Sequence, residues 1–119
     1  MPNANFFKSN EGYYSTLFHE MIHSTGHASR LKREGVTNYS AFGSHSYAKE
    51  ELVAEFGASF LRGLTGIETK NEKNNSVAYL QSWIKSLTND PSLLIGAAGQ
   101  AQKACDFILG VTYETDETD

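Results

Sequence analysis

The chain has 119 residues, of which 39% are hydrophobic and 20% charged, and 10 basic against 14 acidic side chains leave a net charge of −4. That length holds about one domain with a single layered core, and the composition is that of a soluble globule. It excludes a membrane-spanning helix, because no apolar run approaches about 18 residues. It also excludes an internal disulfide framework, because Cys105 stands alone, and a basic surface gripping nucleic acid within this segment. The single cysteine and a start (Met1-Pro2-Asn3-Ala4-Asn5) without a basic signal region predict a cytoplasmic setting.

The pattern predicts a mainly α fold with four principal helices and no sheet. The first spans about 11–25, capped by Ser9 or Asn10, with Tyr14, Leu17, Phe18, Met21 and Ile22 on one face and Gly26 at the stop. Residues 28–45 show neither period and are predicted to be a long, partly ordered connection, which in small domains often carries function. A second helix over about 47–64, capped by Ser46 and closed near Gly66, carries the stripe Leu52, Val53, Phe56, Phe60 and Leu64. Within it, Gly57-Ala58 lets another helix approach closely, at some cost in propensity. After a polar loop over 68–75, a third helix over about 76–87 buries Val77, Leu80, Trp83, Ile84 and Leu87. Asp90-Pro91 places a capping carboxylate before a proline at the first helical position. The fourth helix starts there, ends before Gly110, and packs by Leu94, Ala98, Ala101, Cys105 and Ile108. The domain is expected over 1–112, with 113–119 an acidic, disordered tail.

Chemistry concentrates in the first two helices. His19-Glu20-Met21-Ile22-His23 is an H-E-x-x-H motif. Four residues of helix put both imidazoles one turn apart on one side, close enough to share a metal ion. Two ordinary polar-face histidines would also fit the spacing, but these flank the apolar stripe and therefore face a groove. Two histidines and a water leave tetrahedral zinc one ligand short. Glu51-Leu52-Val53-Ala54-Glu55 offers it, since carboxylates at i and i+4 point the same way. Glu51 is the predicted ligand, Glu55 the partner of a ligating histidine's second nitrogen, and Glu50 the lesser candidate for the ligand. With no Lys or Arg expected beside them on that face, Glu51 and Glu55 repel, and a cation opposite relieves the repulsion. His27 competes as third ligand, yet in an unbroken helix it lies about 12 Å along the axis from His19, so it is assigned to the site wall or a helix C-cap. Glu20 is placed to take a proton from the attacking water rather than to ligate. Tyr47, one turn before Glu51, is the first candidate to stabilise an oxyanion, with Tyr39 and His45 behind it.

These residues, with His23-Ser24-Thr25-Gly26-His27 and Arg30-Leu31-Lys32-Arg33, resemble the zincin-type metallopeptidase domain of ArdC-type antirestriction proteins. The resemblance continues through Tyr47-Ala48-Lys49-Glu50-Glu51-Leu52-Val53-Ala54-Glu55 and Ala78-Tyr79-Leu80-Gln81-Ser82-Trp83. It closes with Ala101-Gln102-Lys103-Ala104-Cys105-Asp106-Phe107-Ile108-Leu109-Gly110. It implies a zincin fold, one zinc ion per chain, a peptide or protein substrate, and a role in protecting incoming DNA of mobile elements. It supports the glutamate assignment too, because gluzincin-like enzymes such as thermolysin space the ligand and its supporting acid by four residues. Such proteins carry a single-stranded-DNA-binding domain ahead of the peptidase, so the chain is expected to be a C-terminal fragment or a truncated relative, with the family's N-terminal sheet largely absent. Ser24 departs from the tryptophan expected there. The rival readings are a non-catalytic, metal-stabilised module of a single-stranded-DNA-binding antirestriction protein and a docking domain or DNA mimic. A net charge of −4 is too small for the mimic, and a structural site has no use for Glu20.

Overall fold

Polar caps set the helix boundaries in the computed structural model, which describes residues 1–7, 9–37, 45–67, 70–86 and 90–111. A 3-10 turn, Ala4–Phe6, precedes α1 (Asn10–Ser24), α2 (Glu34–Thr37), α3 (His45–Thr65), α4 (Lys70–Ser86) and α5 (Pro91–Leu109). The fold is mainly α, as expected, and no strand occurs among the described residues. Ser9 Oγ accepts the Gly12 N–H at 3.0 Å and starts α1. Asp90 Oδ1 accepts the Leu93 N–H at 3.2 Å, with Pro91 in the first turn of α5. Gly110 ends that helix at φ 71°, a left-handed turn open to glycine.

Two stretches are more helical than predicted. The 28–45 connection contains the short α2, preceded by an ordered turn; residues 38–44, including Tyr39, lie outside the described residues. The polar stretch 70–75 is the first part of α4, not a loop. It has no apolar period to betray it, and it extends a helix nucleated by the packed residues that follow.

α3 is the central helix, with α1 and α5 packed on its two sides. Phe18 and Ile22 of α1, Leu52, Val53, Ala54, Ala58 and Leu61 of α3, and Ala97, Ala101, Ala104 and Cys105 of α5 form the core. Because α3 is covered twice, its buried surface wraps round to Ala54, Ala58 and Leu61, while predicted Leu64 on the last turn is 67% exposed. Tyr14 also faces outward, and α1 buries the line Ser15, Phe18, Ile22 instead. α4 lies against fewer neighbours, so Val77 and Ile84 are exposed and only Leu80 and Trp83 pack on the core. Leu87, Ser46's side chain and the 113–119 tail lie outside the described residues.

The close approach expected at Gly57 is present: a Cβ there would stand 2.6 Å from Ile22 Cδ1. On α3's other side the Cys105 thiol donates to the Gly57 carbonyl at 3.3 Å. No described helix is long and apolar enough to cross a membrane.

Gly57 therefore fixes the α1–α3 spacing, and Gly63 in the same helix serves as control, since a Cβ there meets nothing within 4 Å. Gly57→Ala is expected to lower stability by about 1–3 kcal/mol through overpacking. Gly63→Ala is expected to raise it by up to about 1 kcal/mol through helix propensity. Urea denaturation of both variants checks this; stabilisation by both would contradict the packing account.

Candidate metal centre

The site forms where α1 faces α3. His19 and His23 stand one turn apart on α1, and their Nε2 atoms lie 3.1 Å from each other. Glu51 of α3 straddles the pair, with Oε2 3.4 Å from His19 Nε2 and Oε1 3.3 Å from His23 Nε2. One donor atom from each of the three residues falls within 4.8 Å of the others. A tetrahedral ion with bonds of about 2.0–2.1 Å spaces its donors about 3.3–3.4 Å apart; the two contacts to Glu51 match this at 3.4 and 3.3 Å, and the two imidazoles stand slightly closer at 3.1 Å.

The outer ring nitrogens explain why both Nε2 atoms face inward as electron-pair donors. His23 Nδ1 lies 2.7 Å from Glu50 Oε2, and His19 Nδ1 lies 3.3 Å from Glu55 Oε2. A carboxylate accepts, so each Nδ1 donates its hydrogen, and once a ring is neutral its Nε2 is the nitrogen left with the lone pair. Two lone pairs 3.1 Å apart beside a carboxylate repel unless a cation or protons lie between them. The donor set thus fits a divalent ion.

Charge at the site points the same way. Partial burial alone would lower the pKa of His19, but hydrogen bonds with Glu51 and Glu55 outweigh it and raise the group to about 9. His23 is likewise raised to about 9, against burial, by hydrogen bonds with Glu50 and Glu51. Those same bonds with His19 and His23 hold Glu51 far below the usual carboxylate range. Burial of Glu50 and Glu55 is outweighed by their hydrogen bonds, and both titrate below the ordinary value. Protons therefore compete with any ion for the two imidazoles.

α4 closes the third side. Ser76 and Tyr79, three residues apart on one face, donate to Glu55 Oε1 and, at 2.9 Å, to Glu51 Oε2. The expectation that no basic side chain stands beside Glu55 is corrected, because Arg62, two turns along α3, brings Nη2 within 3.7 Å of Glu55 Oε1. Glu50, read from sequence as a spare ligand, turns away from the Nε2 atoms and pairs with Arg33 at 2.8 Å. No periodicity or ligand spacing marks Arg33 or the α4 pair as part of the site, although Arg33 and Tyr79 lie in segments that carry the family resemblance: Arg33 sits in an aperiodic basic run, and Ser76 looks like a helix start.

The remaining candidates lie around this core. Glu20 is exposed on α1 beside His19. Tyr47 packs on Trp83 with ring centroids 6.4 Å apart, and partial burial, then the Glu51 charge, raise its hydroxyl pKa. His27 is exposed in the turn after α1, where its Nδ1 accepts the Ser29 N–H at 3.1 Å, and it is not among the converging donors. The side chain of His45 lies outside the described residues.

Residues 1–100 match the zincin-like metallopeptidase family. The chain is 42% identical over 109 residues to a DNA primase TraC of Escherichia coli, spanning 92% of itself and 10% of the primase. A second Escherichia coli DNA primase TraC is 40% identical over 109 residues, 92% of this chain and 7% of that protein. The crystal structure of the antirestriction ArdC protein from the R388 plasmid, in its Mn(II)-bound form, is similar with a TM-score of 0.68 and 42% identity. That similarity covers 98% of this chain and 42% of the ArdC chain. The chain thus spans less than half of each of these relatives.

Zinc titration separates the two acids of α3. Glu51→Ala is expected to abolish binding, and Glu55→Ala to weaken it about 10–100-fold by loosening His19. Wild-type affinity should rise as pH climbs toward about 9, since both imidazoles must shed protons before they can ligate. An unaffected Glu51→Ala variant, or affinity independent of pH, would contradict these roles.

Proposed function

The chain belongs to the zincin-like metallopeptidase family, and on that footing we propose that it is the peptidase domain of a longer antirestriction protein of a mobile element. In this reading it hydrolyses peptide bonds of a protein substrate in the cytoplasm, and single-stranded DNA is left to a separate domain. The observation that carries the reading is the convergence of His19, His23 and Glu51 on one point, with Glu20 on the same helix. These three residues would hold one zinc ion, which supplies Lewis-acid polarisation of a carbonyl and acidifies water.

The chain's own residues do the rest. Glu20 accepts the proton of the attacking water and returns it to the leaving nitrogen. Glu55 holds His19 with its Nε2 turned inward, so the ligand geometry exists before substrate arrives. A cleft of about 230 Å³ opens beside His19 on the side of Glu55 and Arg62, walled by Ser15, Thr16, Ser76 and Tyr79, and offers room for part of a peptide next to the site. The oxyanion needs a hydrogen-bond donor. Tyr47 is the candidate from α3, and Tyr79 on the cleft wall is the alternative that its hydrogen bond with Glu51 favours.

Glu20→Gln keeps size and hydrogen-bonding shape but removes the base. It is expected to bind zinc as wild type does while cleavage of a peptide library falls on the order of 10²–10⁴-fold. Phenylalanine at position 47 or 79 should lose about 10²–10³-fold at whichever position supplies the oxyanion donor. Full activity of Glu20→Gln would overturn Glu20 as the base; no cleavage by the wild type, with unaltered protection of DNA when the variant is placed in a full-length protein, would favour the non-catalytic module instead.

A further inference from the structure

We propose that Arg33 is a positioning residue of the metal centre, fixing the tautomer and orientation of His23 through Glu50; this rests on the metal reading of His19, His23 and Glu51. Arg33 and Glu50 are 5% and 6% exposed, so a full ion pair is withdrawn from water. Such a pair gains little stability against apolar packing, so its presence calls for another reason. The hydrogen bonds supply one. Arg33 Nε and Nη2 donate to Glu50 Oε1 and Oε2 at 2.8 and 3.0 Å, a bidentate fork. The same guanidinium donates to Thr25 Oγ1 at 2.7 Å and to the Ile22 carbonyl at 2.6 Å.

Ile22 immediately precedes His23, and Glu50 Oε2 receives the His23 Nδ1–H at 2.7 Å. One planar cation thus references both the backbone and the ring of His23 to α3. The turn after α1 is shaped to deliver it. Leu31 N–H bonds to the Thr25 carbonyl at 2.8 Å, and Arg33 N–H to the Gly26 carbonyl at 3.0 Å. Position 26 has room for no side chain, because a Cβ would meet Val36 Cγ2 at 2.6 Å and Arg33 Nη2 at 2.9 Å. Among the described residues His19 has a looser brace: its Nδ1 contact with Glu55 is 3.3 Å, and that carboxylate is held by the Ser76 hydroxyl and, at 3.7 Å, Arg62 rather than by a bidentate fork. His23 is therefore the more tightly held arm of the site. A lysine at position 33 keeps the charge but cannot make the fork. A glutamine at position 50 turns an amide N–H₂ against either Arg33 or His23.

The test uses the full chain and Zn(II) as the probe, in competition with a chromogenic chelator. Arg33→Lys and Glu50→Gln are each expected to lower zinc affinity about 10–100-fold. The double variant should bind no more weakly than the weaker single one, because both act along one chain of contacts. Breaking a buried pair lowers stability in itself, so affinities are compared at a temperature where the zinc-free melting curves show every variant folded. A second readout separates positioning from general stability: the exchange-protected His23 Nδ1–H signal of the zinc-loaded wild type should vanish in both variants. Should Arg33→Lys fail to fold, Glu50→Gln and the wild-type signal decide. Unchanged affinity and an unchanged signal in Glu50→Gln, while His23→Ala loses zinc, would overturn the role of Arg33 and leave the metal site standing. Equal zinc binding by wild type and His23→Ala would overturn both.

Discussion

Glu50, Glu51 and Glu55 crowd three negative charges into little more than one turn of α3, and the neutralisation of that charge organises the rest of the molecule. Glu50 has Arg33, held in a bidentate fork. Glu55 has Ser76 and, further off, Arg62. Glu51 is different: among the described residues its partners are two imidazoles and a tyrosine hydroxyl, with no lysine or arginine. The carboxylate left without a permanent cation is the one aimed at the shared face of His19 and His23. A divalent ion would complete the balance there, and without one the histidines draw protons.

The helical frame makes this arrangement rigid. α3 is clasped between α1 and α5 through alanines, Gly57 and Cys105, so the backbones approach closely and few rotamers are open to the core. Ile22 presses on Gly57 and precedes His23 directly, so core packing sets where the second imidazole stands. α4 is more loosely covered, yet its Ser76 and Tyr79 reach two of the three carboxylates. The polar contacts therefore span α1, α3, α4 and the turn before α2, and each element contributes one answer to the same cluster of charge.

Much of this is legible in the sequence, and the boundary of legibility is physical. H-E-x-x-H and E-x-x-x-E declare themselves because helical geometry alone brings i and i+4 together. Caps at Ser9 and Asp90 are equally local in origin, and Gly57-Ala58 marks a close approach by its small size alone, without naming Ile22 as the neighbour. What stays hidden depends on tertiary context. Arg33 reaches Glu50 across 17 residues and an aperiodic turn, and no periodicity marks it. Arg62 pairs with Glu55 from two turns along α3, beyond the i+3 and i+4 neighbours that helical spacing brings together. The start of α4 is polar on every side, so no apolar face distinguishes it from a loop. Tyr14, Val77 and Ile84 sit on apolar stripes that extend past what the neighbouring helices cover, and remain exposed.

The central claim is that the histidine pair and Glu51 together hold one divalent ion. Anomalous diffraction at the zinc edge from zinc-loaded crystals tests it most directly. The account predicts one peak per chain, about 2.0–2.1 Å from Nε2 of both His19 and His23 and in bonding distance of the Glu51 carboxylate. A peak coordinated instead by Glu50 or His27, or no peak between the two imidazoles at saturating zinc, would contradict it.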